Sequence, residues 1–300
     1  MLDVHRLRLL RELRHRGTLA AVAHALGYSP STISHQLDVL EREAGVTLLE
    51  PVGRRVQLTA EALLLVDHAE AVLERLERAE ADLAAARGEA TGTLRLATFQ
   101  TVAHSLVIDL LAQLEGGPLV LDITHLQAQR AVEAVLAGDF DMVLAEEFPG
   151  APMQVFHGLE VDEVCRDPLL LAVPDGWDPL DLAAMPWVVE TAASPQQGWA
   201  LRVCRAAGFE PIVRYRSDDV LLHVRLVQAG RAAAFLPELV RRCGFPDVRL
   251  RPLPGPPQFR RIVTAVRAGS SRHPAVQRVR SGLRTAAGQV AATVGGSGML

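Results

Sequence analysis

Residues Thr18 to Leu58 constrain this chain more tightly than any other stretch, because two short helices must meet there across a tight turn. Thr18 opens the first helix, which carries Ala21, Val22 and Leu26 on one side. Gly27 closes it, since a helix end often takes a left-handed residue that only glycine adopts cheaply. Ser29-Pro30 starts the second: a side-chain oxygen for the orphan N–H groups, then a ring that fixes φ at the first helical position. Helices joined by so short a turn form a helix-turn-helix. The spacing predicts the second helix over Pro30–Ala44, with Ile33, Leu37, Leu40 and Ala44 as one buried stripe. Its other side shows Ser31, Thr32, His35 and Arg42, with Gln36 beside them. Hydroxyls, an amide and cations are the groups that reach phosphates and base edges in a major groove. Val46–Leu49, a turn at Pro51–Arg55 and Val56–Leu58 read as strand, turn and strand. That is a wing with Arg54 and Arg55 at its tip, placed for backbone phosphate.

Any amphipathic helix has a polar face, and most such faces are only solvated. The turn, the caps and the basic wing together point to DNA instead. Gly17–Leu58 resembles the winged helix-turn-helix of the LysR-type transcriptional regulators in Ala20, Ala21, Leu26, Ser29, Ser34, Gln36, Leu40-Glu41, Gly45, Leu48, Arg55 and Leu58-Thr59. It departs from the family at Leu49, Pro51 and Glu61-Ala62, where Phe, Arg and Ala-Gly are usual. With the resemblance, the expected DNA contacts are Ser29, Ser31, Thr32, Ser34, His35, Gln36, Arg54 and Arg55, and the implied partner is double-stranded DNA.

The net charge of −4 hides an uneven distribution. Up to Leu58 there are eight Arg against six acids, with four His besides, and affinity for nucleic acid follows the local face. No run of 18 apolar residues occurs, and Asp3, Arg6, Arg8, Arg11 and Glu12 interrupt Met1–Leu13, unlike an export signal. A cytoplasmic protein with no membrane partner is expected. Cys165, Cys204 and Cys243 are scattered singly, which suits free buried thiols in a reducing compartment; a redox switch is the rarer alternative.

Thr59 caps a helix predicted to reach Arg87. Leu65, Ala69, Val72, Leu76, Ala79, Leu83 and Ala86 recur in it at alternating steps of four and three, a heptad seam without charge. A helix of this length is a rod of roughly 40 Å, too long for one winged domain to cover. Leu65, Val72, Leu76 and Leu83 are therefore expected to join two copies into a homodimer, or a tetramer of such dimers. Gly88–Gly92 reads as a linker, which divides the chain into a winged domain at 1–58, a dimerisation helix and hinge at 59–92, and the remainder at 93–300.

Past the linker, strands alternate with helices, the mark of an α/β fold. The predicted strands are Leu94–Thr98, Leu119–Thr124, Met142–Ala145, Leu169–Val173, Trp187–Glu190, Pro211–Tyr215, Ala232–Leu236 and Arg261–Val266. Helices are predicted over Val102–Leu114, Arg130–Ala137, Gln197–Ala207, Val220–Ala229 and Pro274–Ala287, with a frayed tail at Gly295–Gly298. Residues 93–300 resemble the effector-binding domain of the same family in Gly92–Leu96, Gly138–Val143, and Gln228-Ala229-Gly230 leading to Phe235-Leu236-Pro237. The resemblance implies two α/β lobes, similar to periplasmic solute-binding proteins. One spans about 93–158 plus 260–290, the other about 160–258, and the effector lies between them.

Ligands of α/β lobes lie at strand-to-helix junctions. Four such junctions are Phe99-Gln100-Thr101, His125-Leu126-Gln127, Thr191 to Ser194, and Ser217-Asp218-Asp219. Candidate effector contacts are Gln100, Thr101, Gln127, Thr191, Ser194 and Asp218, although Thr101, Ser194, Ser217 and Asp218 also read as helix caps. No Arg lies in the loops of Thr101, Gln127 and Ser194, so a ligand carboxylate is expected to be held by backbone N–H and hydroxyl groups. A small carboxylate or amino-acid-like metabolite is the expected effector. No phosphate loop, dinucleotide fingerprint, His-Glu-x-x-His or nucleophile elbow occurs. His104, His125, His157, His223 and His273 do not cluster in sequence. No catalytic residue, metal or cofactor is therefore expected. A solute-binding protein without DNA function is the rival to an effector-controlled regulator, and the helix-turn-helix weighs against it.

Overall fold

The computed structural model describes residues 1–53, 55–88, 90–152, 158–177, 182–191, 194–253 and 255–295. Arg54, His157 and the tail beyond Gly295 thus lie outside the described residues, as does Glu89 of the linker.

Each N-terminal helix begins where a short polar side chain can take an orphan N–H. Helices α1 (Val4–Arg16), α2 (Leu19–Leu26) and α3 (Pro30–Ala44) start at Asp3, Thr18 and Ser29, whose side chains accept from the N–H of Arg6, Ala21 and Thr32. Gly17, Gly27 and Gly45 end them in the left-handed region. Leu10, Leu13, Val22, Ile33, Leu37, Leu40 and Leu48 form their common core. The wing differs from expectation: β1 is Leu49–Val52, not Val46–Leu49, and it pairs with β2 (Arg55–Leu58). Pro51 therefore sits within the strand, opposite Val56, and the turn falls at Gly53, whose φ is 62°. A strand of so short a hairpin has no further partner to need the missing proline N–H.

Helix α4 (Ala60–Arg87), capped by Thr59, divides the predicted seam into two parts. Leu65 and Ala69 pack on the winged-domain core, which corrects the expectation that Leu65 faces a second copy. Val72, Leu76 and Leu83 are exposed, as is Leu64. The core under the first turns of α4 takes up Ala69 and part of Leu65, while Val72, Leu76 and Leu83 stay open along the later turns.

The rest is one mixed seven-stranded sheet with helices on its faces, plus a two-stranded sheet. Parallel strands β3 (Gly92–Thr98), β4 (Leu119–His125) and β5 (Met142–Glu147) build the first lobe. The helix following β3 begins as α5 (Gln100–Val102), widens into a π-helical stretch at Ala103–Val107, and continues as α6 (Ile108–Leu114). Helix α7 (Ala128–Leu136) follows β4. The second lobe holds β7 (Pro186–Val189), α8 (Pro195–Ala206), β8 (Ile212–Arg216), α9 (Val220–Gln228), β9 (Ala234–Pro237) and β10 (Leu250–Arg251). Trp187, Trp199 and Phe235 are the aromatic centre of its core.

Two long strands run through both lobes. β6 covers Leu159–Ala172 and β11 covers Gln258–Arg267, antiparallel over most of their length. The predicted strand at Leu169–Val173 is only the second-lobe end of β6. Its other half alternates charged residues along a half-exposed ribbon, a pattern without an apolar run. Helix α10 (Pro274–Gly295) returns to cover the first lobe with Val276, Val279 and Leu283. Gly295, expected to fray, still belongs to it.

The two halves of the chain touch closely. A 3₁₀ turn at Ala268–Ser270 lies on α4, and a Cβ on Gly269 would fall 2.3 Å from the Glu74 carbonyl oxygen and 2.8 Å from the Glu77 Cβ. Gly269→Ala is expected to push α4 off this turn and lower the thermal midpoint by several degrees, since overpacking costs about 1–3 kcal/mol. An unchanged midpoint in calorimetry would contradict that packing.

Candidate ligand cleft and nucleic-acid interface

On α3 the predicted polar face is present and pre-set by its own cap. Ser31, Thr32 and His35 are exposed, and Ser34 and Gln36 are half-buried. The Ser29 hydroxyl lies 2.8 Å from both the Ser31 and Thr32 hydroxyls and accepts from the Thr32 N–H at 3.1 Å. Arg6 on α1 donates to Gln36 Oε1 at 3.2 Å while Glu43 holds its guanidinium at 2.6 and 3.1 Å. Gln36 is thus oriented by a residue that sequence reasoning did not connect to it. Glu41 Oε1 accepts from the Leu48 and Leu49 N–H groups at 2.6 and 2.9 Å, which pins the wing to α3. Arg55 begins the second wing strand, beside the turn.

Between the lobes lies a cavity of about 330 Å³. Gln100, Thr101, Gln127 and Asp218 of the predicted set line it, together with Phe99, His125, Glu146, Glu190, Gln196, Asp219 and Arg260. Two glutamines of the first lobe hold the second. Gln127 donates to Asp218 at 2.8 Å. Gln100 donates to Asp219 at 2.9 Å and accepts from the Val220 N–H at 2.8 Å. Thr191 and Ser194 are not in the lining, which corrects their assignment as ligand contacts. Thr191 donates through N–H and hydroxyl to Asp218 at 2.9 and 2.6 Å. Ser194 caps α8 by accepting from Gln197 at 2.9 Å and also bonds Glu190. Each positions a carboxylate rather than facing the cavity.

The loops of Thr101, Gln127 and Ser194 carry no arginine, but a strand brings one to the cavity. Arg260 on β11 is 3% exposed and stands in the wall. Four hydrogen bonds occupy it: two to Asp167 at 2.9 and 2.7 Å, one to Glu146 at 2.6 Å and one to the Thr101 hydroxyl at 2.8 Å. A guanidinium has five N–H donors, so little of this one remains for a ligand. Its face covers Phe99 at 5.6 Å. Burial raises the pKa of Asp167 and of Glu146 above the ordinary carboxylate range despite the arginine between them. Burial, with the Glu146 charge added, pushes Glu190 up to about 8. At Asp218 burial works the same way, but the donors of Thr191 and Gln127 outweigh it and hold the pKa below its usual value. Arg260 has no local signal: its partners lie 93, 114 and 159 residues away in sequence.

The thiols of Cys165, Cys204 and Cys243 are each pushed up to about 12 by burial, so none is a thiolate at neutral pH and a redox switch gains no support. Among the described residues no group of His, Cys, Asp and Glu has the arrangement of a metal site, and no helix is long and apolar enough to cross a membrane.

Comparison with known proteins agrees with this geometry. Residues 4–63 match the family model of the bacterial regulatory helix-turn-helix protein, lysR family, and residues 87–288 match the LysR substrate binding domain. The chain is 29% identical over 264 residues to the HTH-type transcriptional regulator TcbR of Pseudomonas sp. (strain P51), covering 82% of this chain and 86% of that one. Among solved structures it is similar to a full-length OxyR variant from Pseudomonas aeruginosa, with a TM-score of 0.66 over 95% of both chains; at 18% identity that likeness is one of fold. Full-length CbnR complexed with its target DNA superposes with a TM-score of 0.53 at 26% identity, over 95% of this chain and all of that one. The two domain matches cover nearly the whole chain, the solute-binding alternative without DNA function is not favoured, and the chain belongs to the LysR family of DNA-binding transcriptional regulators with an effector-binding domain.

Proposed function

We propose that this chain acts in the cytoplasm as a homodimer joined along the exposed stripe Val72, Leu76 and Leu83, and that a small polar metabolite in the cleft sets its grip on operator DNA. No cofactor is invoked. Strand β11 supports this reading most strongly. Arg260, near its start, forms part of the cleft wall, and Arg267, at its end, donates to Glu77 on α4 at 2.7 Å. One continuous strand therefore joins the ligand site to the dimer helix. Arg16 of α1 adds a second tie, to Asp139 at 2.6 Å and the Ala137 carbonyl at 3.0 Å in the first lobe. A ligand that favours one separation of the lobes changes the balance between two arrangements of these contacts, which is the physical content of allosteric coupling here.

Of the two expected effector classes, the amino-acid-like one suits the cleft better. A bare carboxylate would meet Glu146, Glu190, Asp218 and Asp219 with an arginine already engaged.

For the DNA function, Arg54→Ala with Arg55→Ala is expected to weaken binding to all DNA alike and flatten the dependence of log affinity on log salt by about two counterions. An unchanged slope would remove the wing from the interface. Leu76→Glu places a charge in the middle of the exposed stripe, where pairing would bury it unpartnered. Sedimentation should show monomers, with loss of binding to a two-half-site operator; a variant still dimeric at low concentration would place the interface elsewhere.

A further inference from the structure

The amide of Gln36 is held from outside its own helix. Gln36 stands one turn after Thr32 on α3, half-buried, beside the exposed side that carries Thr32 and His35. Arg6 of α1 donates through Nη1 to its Oε1 at 3.2 Å. The rest of that guanidinium is fixed by Glu43, two turns further along α3, which accepts from Nε and Nη2 at 3.1 and 2.6 Å. Glu43 also accepts from the N–H of Asp3, the residue that caps α1, at 3.4 Å. The Arg6 and Glu43 side chains are mostly covered, at 22% and 20% exposure. A bidentate, charge-assisted pair in that setting keeps its geometry. A guanidinium has donors and no acceptor, so the atom facing it is necessarily the amide oxygen. The planar amide of Gln36 therefore turns its nitrogen away from α1, and among the described residues nothing accepts from Nε2.

We propose that Arg6 is a positioning residue for DNA reading: clamped by Glu43, it fixes Gln36 as a donor, so that α3 selects guanine rather than adenine at the base pair Gln36 faces. A glutamine reads adenine by accepting from N6–H with its oxygen while donating to N7 with its nitrogen. The oxygen of Gln36 is already committed on the α1 side, and two N–H donors are what remain for a base edge. In the major groove guanine offers two adjacent acceptors, O6 and N7. Adenine offers one acceptor beside a donor, and cytosine presents a donor. Arg6 itself contributes no phosphate contact in this account, because Glu43 matches its charge and Gln36 takes a further N–H. The proposal rests on α3 being the helix that enters the groove, and adds how one of its side chains discriminates between bases.

The test is selection of duplexes from random DNA by the full-length chain, then fluorescence anisotropy on the selected duplex with each base pair varied in turn. Gln36→Ala locates the position that Gln36 reads, as the one whose preference it abolishes. There the unaltered chain should bind guanine about fivefold or more tightly than adenine. Arg6→Met, and Arg6→Gln as the milder change to the fold, should remove that preference or reverse it toward adenine. Preferences at the other positions and the slope of log affinity against log salt should stay as they were. Adenine preferred by the unaltered chain, or a guanine preference that survives both Arg6 variants, overturns the proposal. So does a uniform loss of affinity with a flatter salt slope, which would make Arg6 a phosphate contact. His35→Ala separates the proposal from the reading beneath it. If His35→Ala changes a base preference and Gln36→Ala changes none, Gln36 only ties two helices together and the proposal alone falls. If neither changes one, α3 is not the reading helix and both fall.

Discussion

The buried contact of Arg260 with Asp167 and Glu146 is the interaction on which the effector half depends. It lies where β5, β6 and β11 run side by side, at the crossing from one lobe to the other. Asp167 also accepts from the Leu239 N–H at 3.1 Å, and Arg260 reaches Thr101 at the start of the helix after β3. One guanidinium therefore fixes three strands and two helical turns. Removing Arg260 would leave both buried acids without their cation, a far larger cost than the cluster is worth over an apolar replacement. The same arrangement decides the chemistry of the cavity. An arginine used to tie the lobes together cannot also neutralise a ligand, and the acids around it remain in excess.

From that point the molecule reads as one connected frame. β11 leaves Arg260, crosses the first lobe, and ends at Arg267 against α4. The turn that follows packs so closely that only glycine suits position 269. On the other side α4 shares its Ala62, Val66 and Ala69 with the winged-domain core, whose α3 faces outward. Movement in the cleft has a short path of packed, bonded structure to the DNA-reading surface. The second lobe hangs on β6 and on the bonds of Gln100 and Gln127 across the opening, which are exposed and so the easiest to break.

The N-terminal elements were legible in the sequence because their signals are local. Thr18, Ser29 and Thr59 cap helices within three residues of themselves, and the Ile33, Leu37, Leu40 stripe repeats within one helix. Gln100, Gln127 and Asp218 were legible as junction residues, and they do meet at the cleft. What stayed hidden depends on pairing between distant strands. No local pattern brings Arg260 to Asp167, and the charged half of β6 lacks the apolar alternation by which strands are recognised. Pro51 misplaced the wing turn because proline so often marks one. Leu65 shows the limit of periodicity alone: a heptad repeat gives a face, and only the packed structure says how many partners share it. Ser194 and Thr191 have the polarity of ligand contacts but spend it on Glu190 and Asp218.

At the centre of this picture stands an acid in the cleft that Arg260 is unable to neutralise. Infrared spectroscopy of the unliganded full-length chain tests it most directly, by following the C=O stretch of protonated carboxyl groups as pH is raised. A protonated carboxyl is predicted to persist at neutral pH, to titrate near the value of about 8 given by the burial of Glu190, and to be missing from Glu190→Gln. A spectrum with no protonated carboxyl at pH 7, or one identical in the variant, would contradict it.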